Sequence, residues 1–152
     1  MTPQASLAVV SEPAPTATDR PDVVSETPLT FDRGLLGFPD SKSFVLAVTS
    51  RDGLFWLQST DNEALCFVLA DPFAFFPGYA VDLPDIDTAY LQAKNPDDVA
   101  VLVTVTLSDR PDRASTANLQ GPIAINVRNR KARQVVINQP GFGVRELLYF
   151  GK

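Results

Sequence analysis

Hydrophobic and polar positions alternate along most of this chain with a period of two. The clearest case follows Gly121-Pro122, where Ile123, Ile125 and Val127 alternate with Ala124, Asn126 and Arg128. That period places the three apolar side chains on one sheet face. The proline, with no N–H and a fixed φ, interrupts the backbone just before them. A second run, Gln134 to Asn138, follows the polar link Asn129-Arg130-Lys131-Ala132-Arg133, and two such runs predict a hairpin. Asn118 and Asn126 bracket the turn, where asparagine bonds its own backbone readily.

Upstream, Ser43 to Val48 and Leu54 to Ser59 read as strands on either side of the turn Arg51-Asp52-Gly53. Leu65 to Ala70 is continuously apolar, which predicts a strand buried on both faces. Tyr79, Val81 and Leu83 alternate with Ala80 and Asp82 and predict a half-buried strand. Val99 to Leu107, β-branched and apolar, is the strongest strand signal in the chain. Gly141-Phe142-Gly143 opens a last strand through Val144, Leu147 and Tyr149. Helix is predicted in one place only. Pro84 suits a first turn, Ile86, Tyr90 and Ala93 share a face, Asp85 and Asp87 sit at the positive end, and Asn95-Pro96 stops it. About eight strands with turn signals every 8–12 residues predict an all-β fold, a small antiparallel β-barrel or sandwich with one short helix. Residues 1–28, rich in Pro, Thr and Ala, are expected to form a disordered tail, with Leu7 to Val10 as a weak strand and the barrel domain spanning residues 29–152.

Composition narrows the chemistry. With 152 residues and 45% hydrophobic side chains, the chain is long enough for one core-bearing domain. No apolar run approaches the ~18 residues of a membrane helix, so no membrane contact is expected. Met1 to Ser6 carries no base ahead of a short apolar patch, unlike a secretory signal. The single cysteine, Cys66, sits inside an apolar run and suits a buried thiol in a reducing compartment. With no histidine and one cysteine, zinc sites and histidine triads are excluded, and no metal or cofactor is expected. The pairs Asp85/Asp87, Asp97-Asp98 and Asp109/Asp112 could supply carboxylate chemistry, but all lie in loops or at the helix start, where aspartate ordinarily caps backbone. Gly34-Leu35-Leu36-Gly37 has no following Lys-Ser/Thr and is no phosphate loop. Charge is uneven: residues 31–127 hold thirteen acids and six bases, residues 128–152 one acid and six bases. An acidic body steers toward a basic partner and away from nucleic acid. Arg128, Arg130, Lys131 and Arg133 read as solvated charge on the hairpin link, since no aromatic interleaves them to stack a base. Phe73, Phe75, Phe76 and Tyr79 crowd one proline-bounded stretch, as core or, for one or two of them, as exposed interface anchors.

Four ordered segments resemble the FliW family of flagellar assembly factors. Asn118 to Asn126 is similar to that family's NLxAPIxIN signature, with Gly121 where alanine is commoner. Thr30 to Pro39 resembles its GLxGF segment, Trp56-Leu57-Gln58-Ser59 its WLQS, and Asp71 to Tyr79 its DPxxFxxxY. The resemblance covers roughly residues 29–150. It implies a cytoplasmic, non-catalytic protein-binding module, expected as a monomer. Its implied partners are CsrA, the translational repressor that it antagonises, and flagellin, whose level it would couple to flagellin translation. It also implies partner contacts along an edge made by the LQS turn, the DP segment and the NL turn: Gln58, Ser59, Asp61, Asn62, Asp71, Phe73, Asn118 and Leu119. On that basis Leu119→Asp or Asn118→Ala would weaken partner binding without unfolding. Two other readings compete. A small β-barrel carbohydrate-binding or carboxylate-based hydrolase domain predicts converging carboxylates of raised pKa. Direct RNA binding through residues 128–133 predicts a steep salt dependence.

Overall fold

The computed structural model describes residues 23–35, 37–50, 53–107, 115–137 and 141–148. Its strands are β1 (Val23–Phe31), β2 (Ser43–Thr49), β3 (Leu54–Ser59), β4 (Cys66–Ala70), β5 (Val99–Thr106), β6 (Ser115–Ala117), β7 (Ile123–Asn126), β8 (Lys131–Gln134) and β9 (Glu146–Leu148). Two short helices, α1 (Pro72–Phe75) and α2 (Asp85–Leu91), and a 3-10 turn (Pro96–Asp98) fill the connection between β4 and β5.

Seven strands close into a barrel in the order β1-β2-β3-β4-β5-β7-β8. Every contact around the ring is antiparallel except the last, where β8 returns beside β1 in parallel over two residue pairs, Thr30↔Lys131 and Phe31↔Ala132. Strands β6 and β9 lie outside the ring, with β6 on the free end of β5 and β9 on β6. The expected all-β barrel is therefore present.

Alternation along the strands builds two cores rather than one. Phe55 and Leu57 of β3, Phe67 and Leu69 of β4 and Leu102 of β5 point inward, with Phe31, Phe44, Ile123 and Ile125. Phe44 stands edge-on to Phe31 at 5.2 Å, an arrangement that aromatic quadrupoles favour. The opposite sides of the same strands, with Trp56, Cys66, Val68, Val103 and Val105, form a second cluster covered by Tyr79, Leu119 and Leu148. Strand β4 is buried along its whole length, as its unbroken apolar run predicts.

Several local expectations are corrected. The proposed boundary at residue 28 falls inside β1, which starts at Val23. Phe31 N donates to Lys42 O at 2.8 Å, and the register pairs Pro28 with Val45. Pro28 therefore occupies an outward-facing position where its missing N–H costs no ladder bond. Leu7 to Val10 lies outside the described residues. Residues 79–83 form no strand, because Tyr79 turns into the second core instead of pairing along an edge. The hairpin turn is also tighter than the polar link suggested. Asn126 Oδ1 accepts from Arg128 N at 2.8 Å, Asn129 Oδ1 accepts from Lys131 N at 2.9 Å, and Arg130 takes φ 67°. The chain thus re-enters the sheet at Lys131. Beyond Gln134 it leaves again, so of the run expected up to Asn138 only Gln134 is in a strand; Asn138 itself is outside the described residues.

Arg133, expected to be solvated, is buried. Its Nε donates to Asp32 Oδ1 at 3.1 Å, a terminal nitrogen donates to Asp32 Oδ2, and the other donates to Asp87 Oδ1 at 3.0 Å. The guanidinium also lies 4.3 Å from the centre of the Tyr90 ring. One side chain thus joins the end of β1, β8 and α2. Asp98 is likewise buried, accepting from Arg128 Nε at 2.5 Å and from the Lys94 and Asn95 amides. Asp98 thus caps backbone as expected while also pairing with Arg128, whereas Asp87 is buried on Arg133.

Two predictions follow from the Arg133 cluster. Arg133→Met leaves buried Asp87 with only the exposed Arg33, 3.4 Å away; urea titration should show a loss of about 3 kcal/mol. The Arg133 hydrogen bond holds the Asp32 carboxyl below its ordinary range. A carboxyl with a depressed folded pKa contributes stability that is complete above its unfolded value of about 4 and is lost as pH falls through the folded one. Stability should therefore decline below about pH 4, and Asp32→Asn should flatten that part of the acid-unfolding profile.

Candidate functional site

Between β6 and β7 the chain makes an excursion. Ala117 pairs with Val105 and Ile123 with Leu102, so residues 118–122 face only Val103 and Thr104. The five residues bulge off β5 and are pinned from both sides. Asn118 N donates to Thr104 O at 3.0 Å, and Asn118 Oδ1 accepts from Gln120 N at 3.0 Å and Gly121 N at 3.1 Å, an Asx turn. Val135 N donates to Pro122 O and Ile137 N to Gln120 O, while Gln134 Nε2 donates to Gly121 O. A Cβ at Gly121 would sit 3.1 Å from Asn118 Nδ2 and 3.2 Å from Gln134 Nε2, so the hydrogen gives these two amides room. From the other side, Leu119 N donates to Gly143 O at 2.9 Å and Gln120 Nε2 to Phe142 O at 2.9 Å.

The segment after β4 reaches the same place. Asp71 Oδ1 caps α1 by accepting from Phe73 N at 3.0 Å, and Pro72 supplies the fixed φ of a first turn. Tyr79 then enters the second core, and its hydroxyl donates to Leu119 O at 2.7 Å. Burial pushes that phenol up to about 12, so it remains a neutral donor at physiological pH. Its ring stands edge-on to Phe142 at 5.1 Å and tilted against Phe73 at 5.7 Å. Phe73 is half-exposed, at 50%, on top of this stack.

Of the eight residues implied by the resemblance, Asp71, Phe73, Asn118 and Leu119 converge here. Gln58, Ser59, Asp61 and Asn62 do not. Gln58 and Ser59 end β3 and Asp61 and Asn62 lie in the turn that leads to β4, at the end where Gln58 pairs with Cys66, whereas Asp71 follows the other end, where Leu54 pairs with Ala70. Four residue steps of strand separate the two ends, about 13 Å. That turn is closed by its own side chains. Ser59 Oγ accepts from the Asp61 and Asn62 amides, Asn62 Oδ1 accepts from Ala64 N, and Gln58 Nε2 donates to the Glu63 and Leu65 carbonyls. Asp61 and Asn62 are exposed, whereas Ser59 is buried. Leu119 is fully buried, which corrects its placement as a surface contact. Phe142 and Gln120, which complete the corner, carried no signal beyond an aromatic between two glycines and a polar residue in a turn.

Among the described residues no group of three or more acids and cysteine is arranged to hold a metal, and no helix is long and apolar enough to cross a membrane. Gly34 takes φ +63°, and a Cβ there would lie 2.7 Å from the Pro39 carbonyl, so the GLxGF turn requires its glycine.

A profile of the FliW protein family matches residues 14–148. The chain is 40% identical over 119 residues to the flagellar assembly factor FliW of Geobacillus thermodenitrificans, covering 78% of this chain and 82% of that one. It is also 40% identical over 114 residues to its counterpart in Syntrophus aciditrophicus, covering 74% and 72%. A crystal structure of the flagellar assembly factor FliW superposes with a TM-score of 0.74 at 38% identity, over 82% of this chain and 87% of that one.

Because Leu119 is enclosed, Leu119→Asp should unfold the domain rather than merely weaken a surface, at a cost of at least about 3 kcal/mol. Asn118→Ala, which orphans two amides, should cost about 1–2 kcal/mol. Thermal melts followed by circular dichroism distinguish these outcomes from unchanged stability.

Proposed function

The chain belongs to the FliW family of flagellar assembly factors, and from that premise we propose that it is a non-catalytic, cytoplasmic protein-binding module that captures CsrA and flagellin. Antagonism of CsrA, released when flagellin occupies the module, then couples flagellin level to flagellin translation. The observation that best supports this reading is Phe73. A phenylalanine half-exposed on a capped turn, seated on a buried aromatic stack, is a rigid apolar anchor of the kind that dominates protein interfaces. The segment that carries it suits a basic partner: residues 71–93 hold Asp71, Asp82 and Asp85 besides the Asp87 paired with Arg133, and no base.

The hydrolase reading is less well supported. A general acid needs a raised carboxyl pKa. Arg133 instead lowers that of Asp32, and Arg128 lowers that of Asp98.

Calorimetric titration with CsrA and with flagellin tests the proposal. Wild-type protein should bind both saturably, and Phe73→Ala should weaken binding at least about tenfold with its melting temperature unchanged. Absence of heat with either partner at low salt and high concentration would remove the proposed function while leaving the family fold intact.

A further inference from the structure

We infer that Tyr79 is the positioning residue that makes the α1 segment and the 118–122 excursion a single binding surface rather than two independent ones. The inference rests on the proposed partner-binding role of that corner. Its warrant is a closed circuit of contacts. The Tyr79 hydroxyl holds the Leu119 carbonyl at 2.7 Å. The Leu119 amide holds Gly143, and the Gln120 side chain holds Phe142. Phe142 returns to the Tyr79 ring at 5.1 Å. Phe73 rests on that same ring and is the circuit's exposed outlet.

Residues 79 and 119 are joined through one side-chain hydrogen bond across a sequence separation of 40. The excursion is off the barrel ladder; bonds to Thr104, Gln134, Val135 and Ile137 hold it to the barrel, while this bond and the Gly143 and Phe142 contacts tie it to the ring beneath Phe73. A hydroxyl aimed at a buried carbonyl has one good geometry. When that bond is made, the ring that carries Phe73 and the loop that carries Asn118 move as one unit. Without it, the loop keeps its Asx turn and the ring keeps its apolar contacts, but their mutual placement loosens. A partner that touches both segments then has to order them on binding, which reduces affinity.

Tyr79→Phe tests this, because it deletes only the hydroxyl. Affinity for CsrA and for flagellin would be measured by calorimetry in a double-mutant cycle with Phe73→Ala, and amide exchange at Gln120 and Gly121 in the free protein. The expected result is about five- to tenfold weaker binding by Tyr79→Phe, faster exchange at those amides, and a Phe73→Ala effect that shrinks from about tenfold to about twofold in the Tyr79→Phe background. Phe142→Leu, which keeps the hydroxyl and removes the edge-on ring, should shift the cycle in the same direction to a smaller degree, and covers the case in which Tyr79→Phe folds poorly. If either variant lowers the melting temperature but leaves affinity and the Phe73→Ala factor unchanged, Tyr79 is structural only and the inference is wrong. If wild-type protein binds neither partner in the same titrations, the functional reading itself fails and takes this inference with it. The two failures are thus separable.

Discussion

The fold depends on how the barrel closes. Six of its seven strand contacts are antiparallel, with three to seven residue pairs each, but the seventh, between β1 and β8, is parallel and only two residue pairs long. So short a ladder cannot hold a sheet on itself, and a single guanidinium reinforces it. Arg133 reaches across the seam to Asp32, the residue that follows β1, and outward to Asp87 on α2, with the Tyr90 ring against its face. The planar fork matters here. It addresses two carboxylates in different directions while stacking on an aromatic, which a lysine's point charge cannot do. Removing water from this site is tolerable only because each charge meets its counterpart; a missing partner would leave a buried, uncompensated ion.

Closure has a second consequence. Once the inward faces of β3, β4 and β5 fill the barrel, their outward faces are still apolar and must be covered. The cover is β9, laddered only to β6, and irregular chain: the stretch after β4 and the excursion between β6 and β7, neither of which has a continuous ladder. The irregular segments are held in place by side chains. Asp71, Asn118, Tyr79, Gln120 and Gln134 each bond backbone of a loop. The candidate binding corner is therefore the outer lid of a core, and that explains why Leu119 is buried while Phe73, one layer further out, is half-exposed.

What could be read from the sequence follows from the range of the interactions involved. Strands β2 to β5 were legible because local apolar patterning decides them, and the two-sided burial of β4 was legible because it has no polar position to expose. The strand expected over 79–83 was misread because alternation does not reveal whether a free edge exists to receive it. Arg128 and Arg130 are exposed as expected, but Arg133 is not, because a charged run on a hairpin resembles a solvated link and only the fold places Asp32 and Asp87 beside Arg133. Pro28 suggested a tail because proline is barred from most ladder positions, although the outward-facing one in β1 tolerates it. The family signature located the excursion correctly but could not say which of its residues face inward. Leu119 turns inward to join the second core, where the hydroxyl of Tyr79, 40 residues away, bonds its carbonyl.

The same internal use of charge bears on the choice between protein and nucleic acid as partner. On paper the C-terminal stretch is basic, and Arg128, Arg130, Lys131 and Arg133 could trace a phosphate backbone. Arg133 is enclosed by Asp32 and Asp87, and Arg128 is engaged by Asp98. Lys131 lies 5.2 Å from the centre of the Tyr90 ring. Of the four, Arg130 alone has none of these carboxylate or ring contacts. The acids are used differently. Asp87 is consumed inside, but Asp61, Glu63, Asp82 and Asp85 remain exposed around the corner bearing Phe73 and beyond it. The ion pairs take up three acids, Asp32, Asp87 and Asp98, and two bases, Arg133 and Arg128, so the charge left for a partner to meet is still acidic, in keeping with the net charge of −5. An acidic field of this kind disfavours a polyphosphate and favours a basic protein surface, as the proposed reading requires.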